Sequence, residues 1–174
     1  MNPAPLTNSK ANKKRGGVNI LAIDTSTKYL SIGIISNDKI VSTVDIYAQL
    51  KTSSIIIPQI NKLLKKHKLK LNDFDAFCIG LGPGSFTGLR IGLSTIKAFG
   101  LCTNKKIIGI PSLDLIALNA KQDGNICVIS DARRNLFYTS FYERKNGKIS
   151  RQGKVGLLTI DLVLDKIRDD TYIL

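Results

Sequence analysis

Gly80-Leu81-Gly82-Pro83-Gly84-Ser85-Phe86-Thr87-Gly88-Leu89-Arg90-Ile91-Gly92 is the stretch on which the reading of this chain turns. Proline holds φ at about −65° and glycine accepts a positive φ, so Pro83-Gly84 predicts a tight turn. Ser85 or Thr87 can cap a helix that starts there. The apolar run upstream, Phe74 to Leu81, reads as a buried strand. Strand, glycine-rich turn and helix is an arrangement that aims backbone N–H groups at an anion. A P-loop also needs Lys and then Ser or Thr directly after its second glycine, and no such pair is present.

Outward from this turn, the element order is legible. Asn19–Ile23 predicts a short buried strand, and Tyr29–Ser36 and Lys39–Tyr47 predict two more, joined by a hairpin turn at Asn37-Asp38. Ile56, Ile57, Ile60, Leu63 and Leu64 recur at helical spacing, which predicts an amphipathic helix over 55–68. Pro58 fits that helix only within the first turn or so. After the glycine turn come a helix over 86–102, a strand Lys106–Ile110 and a helix led by Pro111-Ser112 as far as Ala120. Asn125–Ser130, Leu136–Glu143 and Lys148–Lys154 read as three strands, followed by a helix over 160–168 and a strand Thr171–Leu174. Three strands and a helix thus occur twice, an α/β pattern with a duplicated order.

A chain of 174 residues can bury one good core or two small lobes, and 43% hydrophobic residues make it globular rather than disordered. No apolar run approaches the ~20 residues that cross a bilayer. Met1 to Gly17 is polar and basic, unlike a secretory signal. Cys78, Cys102 and Cys127 are separated thiols in apolar contexts, which suits a reducing cytosol. The net charge is +13, with Lys10, Lys13, Lys14 and Arg15 in the tail. A second block holds Lys62, Lys65, Lys66, Lys68 and Lys70. Such a surplus suits RNA or another polyanion, or equally a surface dressed with lysine for solubility.

The helix over 86–102 carries Arg90, Ser94 and Lys97 on a narrow stripe, with apolar residues in most other directions. A helix apolar nearly all round is buried on most sides. Gly84, Gly88 and Gly92, spaced by four, form a ridge that another backbone can approach closely. Two readings follow: helix 55–68 covers this surface internally, or both helices meet a partner chain. The partner surface would then use Ile56, Ile60, Leu64, Gly84, Phe86, Gly88, Arg90, Gly92 and Ile96. His67, the one histidine, falls at a helix end among lysines and has no nucleophile assigned to it. Ser94 and Lys97 match a Ser-x-x-Lys spacing without the companion motifs of that chemistry.

Residues 80–92, with Ile20-Leu21-Ala22-Ile23-Asp24-Thr25-Ser26, Ile129-Ser130-Asp131-Ala132-Arg133 and Tyr138, resemble the TsaB (YeaZ) family. Its members are subunits of the bacterial machinery that makes threonylcarbamoyladenosine in tRNA. The resemblance spans roughly residues 18 to 145 and rests on short motifs in order. It implies an actin/Hsp70/sugar-kinase-like (ribonuclease H-like) two-lobed fold of the M22 glycoprotease-like superfamily. The expected division is a disordered basic tail over 1–17, an N-terminal lobe over 18–105 and a partial second lobe over 106–174. Family members extend further, which implies either a fragment or a shortened second lobe. In active superfamily members, two turns hold phosphates. Their counterparts here, Asp24, Ser26 and Thr27 and then Asp131 and Arg133, look degenerate, so Asp24 and Asp131 are expected to bond their own turns.

By the same resemblance the chain has no catalytic residue and no metal, because the metal-binding histidine pair of the catalytic relative is absent. It binds no cofactor tightly, although ATP is used by the complex. Its partners would be TsaD in a heterodimer, TsaE, and tRNA through the complex, in the cytoplasm and away from membranes, with homodimers when alone. The alternatives are a stand-alone actin-fold ATPase or kinase and a basic RNA-binding module.

Overall fold

The computed structural model describes residues 17–174, so the expected tail lies, apart from Gly17, outside the described residues. Leu21, Ile23, Leu30, Ile32 and Ile34 alternate along the first two strands and are all buried, as one face of a pleated sheet requires. The strands β1 (Asn19–Asp24), β2 (Tyr29–Ser36) and β3 (Lys39–Tyr47) form an antiparallel meander. Asn37 and Asp38, at φ 54° and 59°, turn the β2–β3 hairpin. Helix α1 (Thr52–Lys66) leads to β4 (Ala76–Gly80), which pairs parallel to β1. Helix α2 (Phe86–Thr103) leads to β5 (Lys106–Ile110), parallel to β4. The sheet order is β3-β2-β1-β4-β5. Ile56, Ile60, Leu63 and Leu64 of α1 and Ile96 of α2 complete the core with Phe74, Phe77 and Ile79.

The second lobe begins with α3 (Ser112–Ala117) and continues through β6 (Gly124–Asp131), β7 (Phe137–Lys145) and β8 (Lys148–Leu158). It closes with α4 (Ile160–Leu164) and β9 (Tyr172–Ile173). Its order, β8-β7-β6-β9, repeats the first four strands of the other sheet, again with an antiparallel meander and a parallel fourth strand. This twice-used arrangement is the actin-like fold expected from the sequence. Among the described residues, no helix is long and apolar enough to cross a membrane.

Several expectations are corrected. The lobe boundary expected at 105/106 falls after Ile110, because β5 adds to the first sheet through its pairing with β4. The helix over 55–68 starts at Thr52, which puts Pro58 inside it rather than in its first turn. Pro58 and Ser54 both lie on the exposed face, so water can satisfy the Ser54 carbonyl that proline leaves without a donor. Strand β8 runs on to Leu158, because a register shift opposite Thr139/Phe141 and Gly153 at φ 86° let it bulge and continue. The helix over 160–168 shortens to five residues, with Val163 alone buried to hold it. The positive φ of the glycine turn belongs to Gly82, at 81°, and not to Gly84.

Candidate functional site

Strand β1 ends at Asp24, and the turn that follows is stitched to the glycine-rich segment. Asp24 Oδ1 accepts the Ser26 N–H at 2.7 Å, closing a local turn. Asp24 Oδ2 accepts the Ser112 hydroxyl at 2.7 Å. Ser112 Oγ in turn accepts the Gly82 N–H at 3.0 Å, and the Ser112 N–H bonds the Gly82 carbonyl at 2.8 Å. The Ser85 N–H donates to the Ser26 carbonyl at 2.6 Å, while the Thr25 hydroxyl donates to the Gly88 carbonyl at 2.7 Å. Ser85 Oγ caps α2 by accepting the Gly88 N–H, as the sequence suggested, and Thr87 makes no cap. Thr27 Oγ1 accepts the Tyr29 N–H at 3.1 Å.

These bonds explain the three glycines. A Cβ on Gly84 would overlap the Ser26 carbonyl, one on Gly88 the Thr25 carbonyl, and one on Gly92 the Thr25 hydroxyl. Only glycine lets the turn lie this close to the helix. The ridge does receive another backbone, but it is the chain's own Thr25-Ser26 turn.

The second turn mirrors the first in one respect: Asp131 Oδ1 accepts the Arg133 N–H at 2.7 Å. Both aspartates therefore bond their own turns. A phosphate and its metal would need the Asp24 carboxylate and an open approach at Ser26. Asp24 Oδ1 and Oδ2 each accept one hydrogen bond from the protein, from the Ser26 N–H and the Ser112 hydroxyl. Among the described residues, no group of three or more His, Cys, Asp or Glu side chains is arranged to hold a metal ion.

The expected partner surface divides. Ile56, Ile60, Leu64, Gly88, Gly92 and Ile96 are buried inside this chain, because the first sheet claims the apolar faces of both helices. They are corrected to core positions. Gly84 is half-buried, while Phe86 and Arg90 remain on the surface. Phe86, at 67% exposure, lies under the Arg90 guanidinium, 3.9 Å from its ring centroid. The outward face of α2 reads Phe86, Arg90, Ser94, Lys97 and Leu101, a helical stripe polar in the middle and apolar at both ends. Leu101, 83% exposed, was missed, although it follows Lys97 by four residues on the same stripe. Ile57 is exposed on α1.

His67 ends α1, its N–H bonded to the Leu63 carbonyl at 3.2 Å. Beside the second sheet, a cavity is lined by Ile110, Asp114, Leu118, Tyr142 and Arg151 among others. Tyr142 donates to Asp114 Oδ1 at 2.8 Å, and Arg151 pairs with Asp114 Oδ2 at 2.8 Å. Burial pushes the Tyr142 phenol up to about 12.

Comparison with known proteins gives this geometry a family. The family model described as TsaD, tRNA N6-adenosine threonylcarbamoyltransferase, matches residues 46–164. The chain is 34% identical over 133 residues to the tRNA threonylcarbamoyladenosine biosynthesis protein TsaB of Bacillus subtilis, covering 76% of this chain and 58% of that protein. It is 32% identical over 132 residues to TsaB of Escherichia coli, covering 74% and 57%. The chain thus spans less than two thirds of the length of these curated relatives. In fold it resembles YeaZ from Pseudomonas aeruginosa, with a TM-score of 0.71 at 24% identity over 81% of this chain and 66% of that one. A crystal structure of a protein with similarity to peptidase YEAZ, also from Pseudomonas aeruginosa, superposes with a TM-score of 0.74 at 22% identity, over 82% and 67%. The glycine turn, the repeated strand order and the match over 46–164 lead to one conclusion: this chain belongs to the TsaD family, on its TsaB (YeaZ) branch.

Proposed function

We propose that the chain is a non-catalytic subunit in the threonylcarbamoylation of N6 of adenosine 37, in tRNAs that read codons beginning with A. It acts by binding the transferase TsaD. The names of its relatives support the pathway. The observation that carries the supporting role is the first turn, where Ser26 and Ser112 occupy the Asp24 carboxylate that a kinase would need for its phosphates. The contact with TsaD uses the outward stripe of α2, where exposed Phe86 and Leu101 flank Arg90 and Lys97. An aromatic residue with a stacked arginine is a common anchor of protein interfaces. When alone, the chain self-associates through the same stripe. In this reading TsaE cycles on the pair, ATP is used by the complex, no cofactor stays bound to this chain, and the assembly meets tRNA in the cytoplasm.

The test is co-purification and calorimetry with TsaD. Phe86 and Leu101 are exposed, so Phe86→Asp and Leu101→Asp should leave the fold intact. Each should weaken TsaD binding by about tenfold or more, roughly 1.4 kcal/mol at each anchor. Undiminished affinity in the double variant refutes this surface. The isolated chain should not turn over ATP. A turnover abolished by Asp24→Ala would instead establish the kinase reading.

A further inference from the structure

The chain turns its hairpins in two different ways. The β2–β3 hairpin uses Asn37 and Asp38 at φ 54° and 59°, and the β7–β8 hairpin uses Asn146 and Gly147 at 52° and 74°. These residue types tolerate the left-handed region. The β6–β7 hairpin instead holds Arg133, Arg134 and Asn135 at φ 66°, 55° and 59°, three consecutive residues in that region, two of them arginine. Arginine gains nothing there conformationally, because its Cβ meets the following carbonyl. Non-glycine residues held in this region gather at functional sites, where the side chain is needed.

Arg133 and Arg134 are both exposed. Among the described residues, neither side chain makes a hydrogen bond or an ion pair. Arg144 pairs with Asp123, Arg151 with Asp114 and Arg90 lies on Phe86, whereas Arg168, also exposed, carries its charge on ordinary backbone without the positive φ of the two turn arginines. The turn itself is held without the two guanidiniums, by Asp131 Oδ1 on the Arg133 N–H and by bonds from Ala132 to Leu136 and from Leu136 to Arg133.

We infer that the β6–β7 turn is a contact for the phosphate backbone of tRNA, made by the Arg133 and Arg134 guanidiniums. It deepens the proposed function and rests on its tRNA reading. The planar fork of arginine pairs with phosphate oxygens in two parallel bonds, which lysine cannot reproduce. The net charge of +13 supplies general attraction, and the strained turn supplies a defined point of contact.

The experiment replaces the turn with the chain's own alternative, Arg133→Asn with Arg134→Gly, in the full chain. The melting temperature should rise by about 2–4 °C, because the new residues accept the backbone without strain. Binding of an unmodified tRNA transcript, followed by anisotropy across a salt series with and without TsaD, should weaken. The slope of log affinity against log salt should fall by about 0.7–0.9 for each phosphate that is no longer neutralised. Arg133→Lys with Arg134→Lys should keep the slope while giving up part of the affinity. An unchanged slope in the Asn/Gly variant overturns the inference, and so does a lowered melting temperature, which would make the arginines structural. Co-purification with TsaD is read separately. Its failure in the unmutated chain defeats the subunit role, while the slope measured on the chain alone still judges this contact.

Discussion

Gly88→Ala tests the stitching of the first turn directly. A Cβ on Gly88 would overlap the Thr25 carbonyl oxygen, and the next obstacle is Ser85 Oγ at 3.2 Å. The obstructing atom is backbone, so relief demands a separation of about an ångström rather than a rotamer change. That movement stretches the 2.7 Å bond from the Thr25 hydroxyl to the Gly88 carbonyl. Thr25 is 1% exposed, so no water replaces it. A buried polar group left without its partner costs ~1–3 kcal/mol, and overpacking adds a similar ~1–3 kcal/mol. Alanine returns at most ~1 kcal/mol as the better helix former. The net destabilisation is about 3 kcal/mol, or roughly 10 °C in melting temperature for a chain of this size. Urea unfolding followed by circular dichroism gives the number. Gly33→Ala is the control: nothing lies within 4 Å of its Cβ, so its stability should stay within ~0.5 kcal/mol of the parent. A Gly88→Ala variant as stable as the parent would refute the reasoning, because the close approach would then be of no consequence.

Two further outcomes follow from burial. Tyr142 has a phenol raised from 10.0 to about 12 in the folded state, first by burial and also by its bond to Asp114. Its neutral form is favoured on folding, so that contribution is complete below about pH 10 and is lost as pH rises toward 12. Alkaline unfolding should therefore show a decline in stability over that window that Tyr142→Phe removes, measured by denaturant midpoint against pH. Cys78 and Cys127 are buried and their thiols are pushed up, whereas Cys102 is exposed. A thiol reagent at neutral pH should label Cys102 rapidly and leave the other two until the chain unfolds, so fast labelling of more than one thiol contradicts the core described.

The subunit stripe illustrates where sequence reading stops. Arg90, Ser94 and Lys97 mark the exposed side of α2 by their spacing, whereas Phe86, one of the apolar residues set apart from that stripe in the sequence, is shown to be exposed only by the structure. The choice of Ile56, Ile60, Leu64 and Ile96 as partner contacts went astray, since an apolar helix face is the same string whether a sheet or another protein covers it. The glycine ridge was legible as a close-approach surface. What approaches it was not, because Thr25 lies 63 residues from Gly88 along the chain.

Residue by residue, then, the sequence determined what short-range physics governs. The strand alternation, the Asn37-Asp38 hairpin, the Ser85 cap and the turns bonded by Asp24 and Asp131 each depend on residues within a few positions of one another. Tertiary structure alone decided the rest. It added β5 to the first sheet, buried Gly88 and Gly92 against the Thr25-Ser26 turn, engaged Asp24 with Ser112 across 88 residues and left Leu101 in solvent. The physical reason is common to all four. Local geometry is set by torsions and neighbouring side chains, whereas burial is a competition among surfaces that the chain brings together only by folding.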